Sequence, residues 1–140
     1  MTGQQFVTQI CRLLKASEAN AQRWIIWAEE CVESGQYAGL IERPKEEAVA
    51  AWLDCYYASL YFIKAECGTD AAKQIIDLSA VNLCLYPYEM REAAKLLQDG
   101  CTPEQLLSKM QDGLLESDDK TPTMDDVKRD MAKNKNREAR

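Results

Sequence analysis

The sequence predicts an all-α fold: a compact bundle of five to six helices around a central aromatic-rich helix, with a charged C-terminal tail. Three observations predict it. Apolar residues recur at the three- to four-residue spacing of helices and not in the alternation of strands. Capping residues and glycines divide the chain at short intervals. No Asn-Gly or Asp-Gly turn separates two β-branched runs, as a hairpin would require.

The first two helices are predicted from their caps. Thr2 and Gln5 have the form of a capping box, which opens a helix that extends to about Lys15. Ser17 can cap a second helix that continues to Ser34, where a glycine follows. The predicted core face of the second helix consists of Ala21, Trp24, Trp27, Ala28 and Cys31.

Ile26 does not fit the apolar face of the second helix. At helical spacing it lies instead on the polar face, together with Glu29, Glu30 and Glu33. One interpretation is a singly exposed isoleucine, which is common on protein surfaces. The other is a contact residue within an acidic interface. The four residues are therefore candidate interface positions.

The central helix is predicted between Pro44 and Cys67. Pro44 suits the first position of a helix, Glu46 and Glu47 lie in the first turn, and Gly68 follows the last periodic residue. The helix is apolar nearly all round, which indicates burial by several neighbours. It contains five of the chain's eleven aromatic residues: Trp52, Tyr56, Tyr57, Tyr61 and Phe62.

Three further helices are predicted in the C-terminal half. Thr69 is expected to cap a helix over 70–85, in which Asn82 is either a hydrogen-bonded core amide or a helix-end amide. Pro87 suits the start of a helix over 87–100. A helix over 102–113 has the clearest start in the chain: a threonine cap, a proline and a capping-box glutamine.

The composition changes after residue 115, which gives the predicted domain organisation. Residues 1–115 form the helical domain, residues 116–123 a polar linker, and residues 124–140 a charged tail that forms a helix or becomes ordered on binding. Met124, Val127 and Met131 make a thin apolar stripe in this tail. The tail carries six basic and four acidic residues, whereas the whole chain has a net charge of −6, so the rest carries −8.

The six cysteines are scattered through helical patterns, and no pair has the Cys-x-x-Cys spacing. We expect them to be reduced structural thiols in a reducing compartment. The first fifteen residues have neither a basic start nor a small-residue cleavage site, and no apolar run reaches about 18 residues. The sequence thus predicts a cytoplasmic protein without a membrane partner.

The residues that catalysis and metal binding most often use are missing. The chain contains no histidine, which excludes a Ser-His-Asp triad, a His-Glu-x-x-His zinc site and a di-iron Glu-x-x-His motif. It also contains no glycine-rich phosphate-binding motif. We expect no catalytic site, no cofactor and no bound metal.

Two groups of tyrosines are candidates for binding. Tyr57 and Tyr61 are one turn apart beside Asp54, and hydroxyls next to a carboxylate can bind a small polar ligand. The alternative is that both rings lie at the core edge with their hydroxyls in water. Tyr86 and Tyr88 flank Pro87 and form the second group. Tyrosine is enriched in binding hot spots, so both groups are candidate interface residues.

The stretch YPYEMREAAKLLQDGCTPEQLLSKMQDGLLE, residues 86–116, resembles small helical accessory proteins of phages and conjugative elements. It covers about a fifth of the chain. The resemblance implies a non-enzymatic protein that binds another protein, a class that includes inhibitors of host defence nucleases such as anti-CRISPR proteins. Such inhibitors are often small and acidic and occupy basic nucleic-acid channels.

The leading functional prediction is a non-catalytic binding or regulatory protein whose acidic body contacts a basic protein surface. An acidic body repels phosphate backbones, so nucleic acid is expected only at the basic tail. A small nucleic-acid-associated regulator that uses this tail is the second hypothesis. A small-ligand binder or enzyme built around Asp54, Tyr57 and Tyr61 is the third. Another copy of the chain is an alternative protein partner.

Overall fold

A computed structural model describes residues 1–34, 44–113 and 121–138, with side chains described up to residue 134 in the last segment. Those residues form helices and turns without any strand, so the prediction of an all-α fold is confirmed. The helices are α1 (Gly3–Leu14), α2 (Glu18–Glu33), α3 (Lys45–Cys67), α4 (Thr69–Asp77), α5 (Met90–Gln98), α6 (Pro103–Gln111) and α7 (Met124–Glu138). Two 3₁₀ turns, Leu78–Val81 and Pro87–Glu89, lie between α4 and α5.

Three of the predicted caps are present. In the capping box of α1, the Gln5 backbone N–H donates to the Thr2 hydroxyl at 3.2 Å, and the Thr2 N–H donates to the Gln5 side chain at 2.8 Å. Thr102 opens α6 with the same reciprocal pair of bonds. Ser17 caps α2 through one bond, from the Asn20 N–H, at 3.4 Å. Each cap satisfies helix N–H groups that have no partner within the helix.

Helix α3 is the centre of the bundle, as predicted. It contacts α1, α2, α4, α5 and α7, because apolar side chains cover most of its surface. Tyr56 is fully buried and packs edge-on against Trp24 of α2 at a ring-centroid distance of 4.9 Å. Such a pair adds about 1 kcal/mol to the gain from burial alone. The Trp24 indole N–H also donates to the Ile76 carbonyl at 3.0 Å, which ties α2 to α4.

Helix α4 is shorter than the predicted 70–85. It ends at Asp77, and the following 3₁₀ turn stops at Asn82, whose φ of 58° is left-handed. The Leu83 N–H then donates to the Leu78 carbonyl at 3.0 Å, which closes the helix end. Asn82 is exposed, and it is therefore the helix-end amide of the two predicted alternatives. Leu85 is fully buried outside any helix, so its helical spacing was misleading.

The cap predicted at Thr69 was wrong. Thr69 is the first residue of α4, and Gly68 occupies the cap position with a φ of 99°. Residues that have a side chain rarely adopt this backbone conformation. The tight junction between α3 and α4 therefore requires the glycine that follows α3. Gly68 is the single residue between α3 and α4, so it ends the first helix and also precedes the second.

The segment predicted as a charged tail forms α7 and packs against α3. Thr123 caps it, because the Asp126 N–H donates to the Thr123 hydroxyl at 3.3 Å. Of the predicted stripe, Val127 is 1% exposed, Met124 is half-buried and Met131 is exposed. Residues 116–120 of the predicted linker lie outside the described residues. The predicted tail is therefore packed against the helical body, and buried Val127 anchors it there.

Candidate protein-binding face

Exposed apolar side chains gather on one side of the bundle, beside α2. Ile26 of α2 is 55% exposed and Val81, in the 3₁₀ turn that contacts α2, is 61% exposed. Tyr88, in the second 3₁₀ turn, is 41% exposed. Exposure of apolar surface to water is unfavourable, so a group of exposed apolar side chains close together is typical of a binding surface.

A hollow of about 310 Å³ opens beside Ile26. Helix α2 supplies one wall, and the chain that leaves α4 supplies the other. The lining residues are Arg23, Ile26, Trp27, Glu30, Ser79, Asn82 and Cys84. The early end of α4 creates this second wall, because the left-handed turn at Asn82 redirects the chain.

Trp27 links the hollow to the tyrosines around Pro87. Its ring lies 6.0 Å from that of Tyr86, measured between centroids. Tyr86 stacks on Tyr88 with centroids 5.4 Å apart and an interplanar angle of 3°. Tyr86 also packs against Trp52 of the core at 6.2 Å. The structure thus joins Ile26 and the Tyr86–Tyr88 pair, which the sequence proposed separately.

We call this surface the Ile26 face. It consists of Ile26, Trp27, Glu29, Glu30, Val81, Asn82, Cys84, Tyr86 and Tyr88. Half-buried Trp27 was predicted to belong to the core face of α2. Its indole N–H is buried, yet it has no hydrogen-bond acceptor among the described residues. A buried donor without an acceptor costs about 1–3 kcal/mol.

The predicted acidic residues on α2 have different surroundings. Glu33 forms an ion pair with Lys45 at the start of α3, and this hydrogen bond raises the pKa of the Lys45 ammonium. Glu29 lies close enough to Lys45 to act in the same direction. Glu30 lines the hollow and is exposed, and it makes no ion pair within the described part of the chain. Glu30 is therefore free to pair with a cation from outside.

Two thiols lie close to the acidic side of the hollow. Burial, followed by the negative charge of Glu30, raises the pKa of the Cys31 thiol to about 11. Burial also raises the pKa of Cys84 to about 11, and Cys31 and Glu30 add to this effect. Both thiols are therefore protonated at neutral pH, and protonated thiols are poor nucleophiles. None of the six cysteines, which all lie within the described residues, forms a disulfide.

The first predicted tyrosine group, Tyr57 and Tyr61 beside Asp54, is occupied by contacts within the chain. The amino group of Met1 lies 2.6 Å from the Asp54 carboxylate. Tyr57 was expected to be exposed, and this was wrong: its ring is 6% exposed. The Tyr61 hydroxyl donates to the Asp130 carboxylate of α7 at 2.8 Å. The contact between α3 and α7 takes up the flank that the sequence left open.

A larger hollow, of about 420 Å³, lies between α3, α5 and α7. Four of its six charged groups form ion pairs with one another. Arg91 lies 3.2 Å from Glu66, and Arg129 lies 2.6 Å from Asp126. Asp130, also in its lining, accepts the bond from Tyr61. A ligand here would have to compete with these ion pairs, so this hollow is the weaker candidate for a binding site.

Metal-ligating side chains do not converge in the described ranges, where no group of three or more cysteine or carboxylate residues is placed to hold an ion. Within the same ranges, each helix falls short of the length and apolarity that a transmembrane span requires. Comparison of the chain with protein-family models, curated proteins and solved structures finds no match.

Proposed function

We propose that this chain is a non-catalytic, regulatory protein-binding module whose acidic helical body engages a basic surface of another protein. The observation that carries the proposal is the Ile26 face itself. Exposed Ile26 and Tyr88 are connected through Trp27 and Tyr86, and beside them lies Glu30, which makes no ion pair with the described residues. Aromatic anchors surrounded by polar groups are typical of interface hot spots.

Charge supports a basic partner. The chain has a net charge of −6, and the acidic excess lies outside the basic C-terminal segment. Complementary charge accelerates association and disfavours like-charged partners. The resemblance of residues 86–116 to accessory proteins of mobile elements suggests a specific form of this function. In that form, the acidic body occupies the basic nucleic-acid channel of a host defence nuclease and inhibits it.

Affinity purification with the full chain as bait tests the proposal. We expect one protein to be retained, less strongly as salt rises from about 50 to 200 mM, because exposed charge pairs are screened. The double variant Glu29→Gln/Glu30→Gln should retain less of it. The matched control is Asp99→Asn/Glu104→Gln, which removes two exposed carboxylates near α6. Equal retention by both double variants would contradict an interaction through the acidic side of α2.

Nucleic acid is a second candidate partner, because Lys128, Arg129 and Lys133 of α7 are exposed. Since α7 packs on α3, truncation would disturb the body, and charge reversal is the better test. Lys128→Glu/Lys133→Glu should abolish binding of DNA or RNA at about 50 mM salt, where phosphate contacts are strongest. Absence of binding by the unmodified chain under this condition would exclude the candidate.

Self-association is a further alternative for the Ile26 face. A dimer that pairs this face with itself would bring Glu29 and Glu30 of both copies together, which like-charge repulsion disfavours. The mass measured by light scattering over a range of concentrations decides this point. A constant monomer mass is expected if the face is reserved for another protein.

A further inference from the structure

We infer that the hollow beside Ile26 receives an apolar side chain from a cationic segment of the partner, while Glu30 pairs with a lysine or arginine of that segment. This inference rests on the proposed function and specifies the site and the chemistry of its partner. The volume of about 310 Å³ is enough for one large side chain with some of its backbone. Its walls combine the apolar side chains of Ile26, Trp27 and Cys84 with four polar residues, two of them charged.

The apolar part of the hollow defines the first requirement. Ile26 is more than half exposed, and half-buried Trp27 and Cys84 line the space beside it. Each of these groups would lose contact with water if an apolar side chain entered. Burial of apolar surface contributes about 25 cal/mol per Å², so a leucine or phenylalanine is favoured over a polar residue.

The polar groups of the hollow define the second requirement. Glu30 is exposed and has no cation paired with it in the described ranges, whereas Glu33 is already paired with Lys45. Arg23 also lines the hollow, so the cation of the partner must approach from the Glu30 side. The combination predicts an apolar residue within a few positions of a lysine or arginine.

The Trp27 ring extends the apolar wall. Its indole N–H is buried and has no acceptor in the described ranges, whereas the Trp24 indole N–H is satisfied by the Ile76 carbonyl. The polar edge of Trp27 is therefore turned away from solvent, and the part of the ring that lines the hollow offers carbon surface to a partner. The Trp27 ring thus contributes to the first requirement, apolar contact.

The probe is a random-peptide phage library selected against the immobilised full chain, and enriched peptides are then synthesised for titration. We expect enriched sequences to carry an apolar residue near a lysine or arginine. Ile26→Glu should weaken the binding of such a peptide by about thirtyfold, the loss typical of a hot-spot residue. The matched control is Leu107→Glu, which also replaces an exposed aliphatic side chain by glutamate, at a residue of α6 that is 43% exposed.

The indole N–H signals in a nitrogen–proton NMR spectrum provide a readout that affinity alone does not. Addition of the peptide should shift the Trp27 indole signal, because the Trp27 ring lines the hollow, and leave the signal of fully buried Trp24 in place. Trp27→Phe assigns the signal. Glu30→Gln should weaken the binding of the cationic peptide about fivefold. It should leave unchanged the binding of a peptide in which the lysine or arginine is replaced by glutamine.

Three results would overturn the inference. They are an absence of enriched peptides, enriched peptides that bind Ile26→Glu as tightly as the unmodified chain, and self-association of the chain that Ile26→Glu abolishes. The last would assign the hollow to a second copy. If the protein captured in the affinity purification binds Ile26→Glu normally while Glu29→Gln/Glu30→Gln loses it, the hollow is rejected and the proposed function remains.

Discussion

Tyr61 and Tyr88 were both expected from the sequence to be available for binding, yet they have opposite surroundings. Tyr61 lies on the flank of α3 that α7 covers, and its hydroxyl donates to Asp130. Tyr88 lies on the Ile26 face, 41% exposed, and stacks on Tyr86. On the first flank the chain supplies its own partner, whereas the second is open. Of these two tyrosines, only Tyr88, on the Ile26 face, is exposed.

The two regions also differ in how they are held. Helix α7 has a very polar composition, and Val127 is its one fully buried side chain in the part that the structure describes. The Ile26 face is anchored from beneath, because Tyr86 packs on Trp52 and Trp27 packs on Tyr86. A surface held by core aromatics is rigid before binding, which reduces the entropy lost on association. The covered flank is held by buried Val127 and by the bond between Tyr61 and Asp130.

The largest expected effect is on the covered flank. Val127→Asp puts a carboxylate at a position that is 1% exposed, and we expect α7 to separate from α3 with a loss of about 3 kcal/mol. Hydrogen exchange of the α7 amides measures the separation. The control is Met131→Asp one turn later, where the side chain is 46% exposed and the loss should stay below about 0.5 kcal/mol. Equal exchange in both variants would contradict an attachment through Val127.

A smaller effect is expected from Tyr61→Phe, which removes the bond between the Tyr61 hydroxyl and Asp130. Because the acceptor is charged but the site is only partly buried, the expected loss in the free energy of unfolding is about 1 kcal/mol. Urea denaturation measures it. Tyr88→Phe is the matched change on the open face, and there the loss should stay below about 0.5 kcal/mol. Similar losses for the two variants would remove the distinction between the flanks.

The contribution of Tyr61 should depend on pH. Burial, followed by the hydrogen bond to Asp130 and its charge, raises the Tyr61 pKa from 10.0 to about 12. The folded state therefore holds the proton more tightly than the unfolded state. The stabilisation is complete below pH 10 and is lost as pH rises to about 12. The difference in unfolding free energy between the unmodified chain and Tyr61→Phe should shrink across this window, and a constant difference would contradict the assignment.

The smallest effect on stability is expected on the Ile26 face. Ile26→Glu changes a side chain that is 55% exposed, so the free energy of unfolding should change by less than about 0.5 kcal/mol. The same variant is expected to lose binding, so stability and function separate at this position. Thermal denaturation provides the check. A loss of several kcal/mol would mean that Ile26 supports the fold and is not reserved for a partner.

Much of the fold follows from local sequence signals. Thr2, Ser17 and Thr102 mark helix starts because their hydroxyls bond to N–H groups only three residues away. The end of α4 was missed because Leu85 continues the helical spacing while the chain has already turned at Asn82. Asparagine is compatible with both a helix and a left-handed turn, so local sequence does not decide between them.

The candidate site was predicted in part. Ile26 stood out because an isoleucine interrupts a row of glutamates, and its exposure agrees with that prediction. Val81 and Cys84 were missed, because the predicted α4 ran through both positions. Trp27 was assigned to the core, since helical periodicity separates faces by angle and does not show which neighbour covers each face.

The sequence by itself determined the fold class, the starts of α1, α2 and α6 and the central position of α3, because caps and apolar periodicity depend on residues within a turn or two of each other. Only the tertiary structure decided which tyrosines are covered. Tyr61 is bonded to a residue 69 positions later, and Tyr86 connects α2 with the core. Contacts between distant segments depend on how the helices pack, and no local pattern encodes that packing.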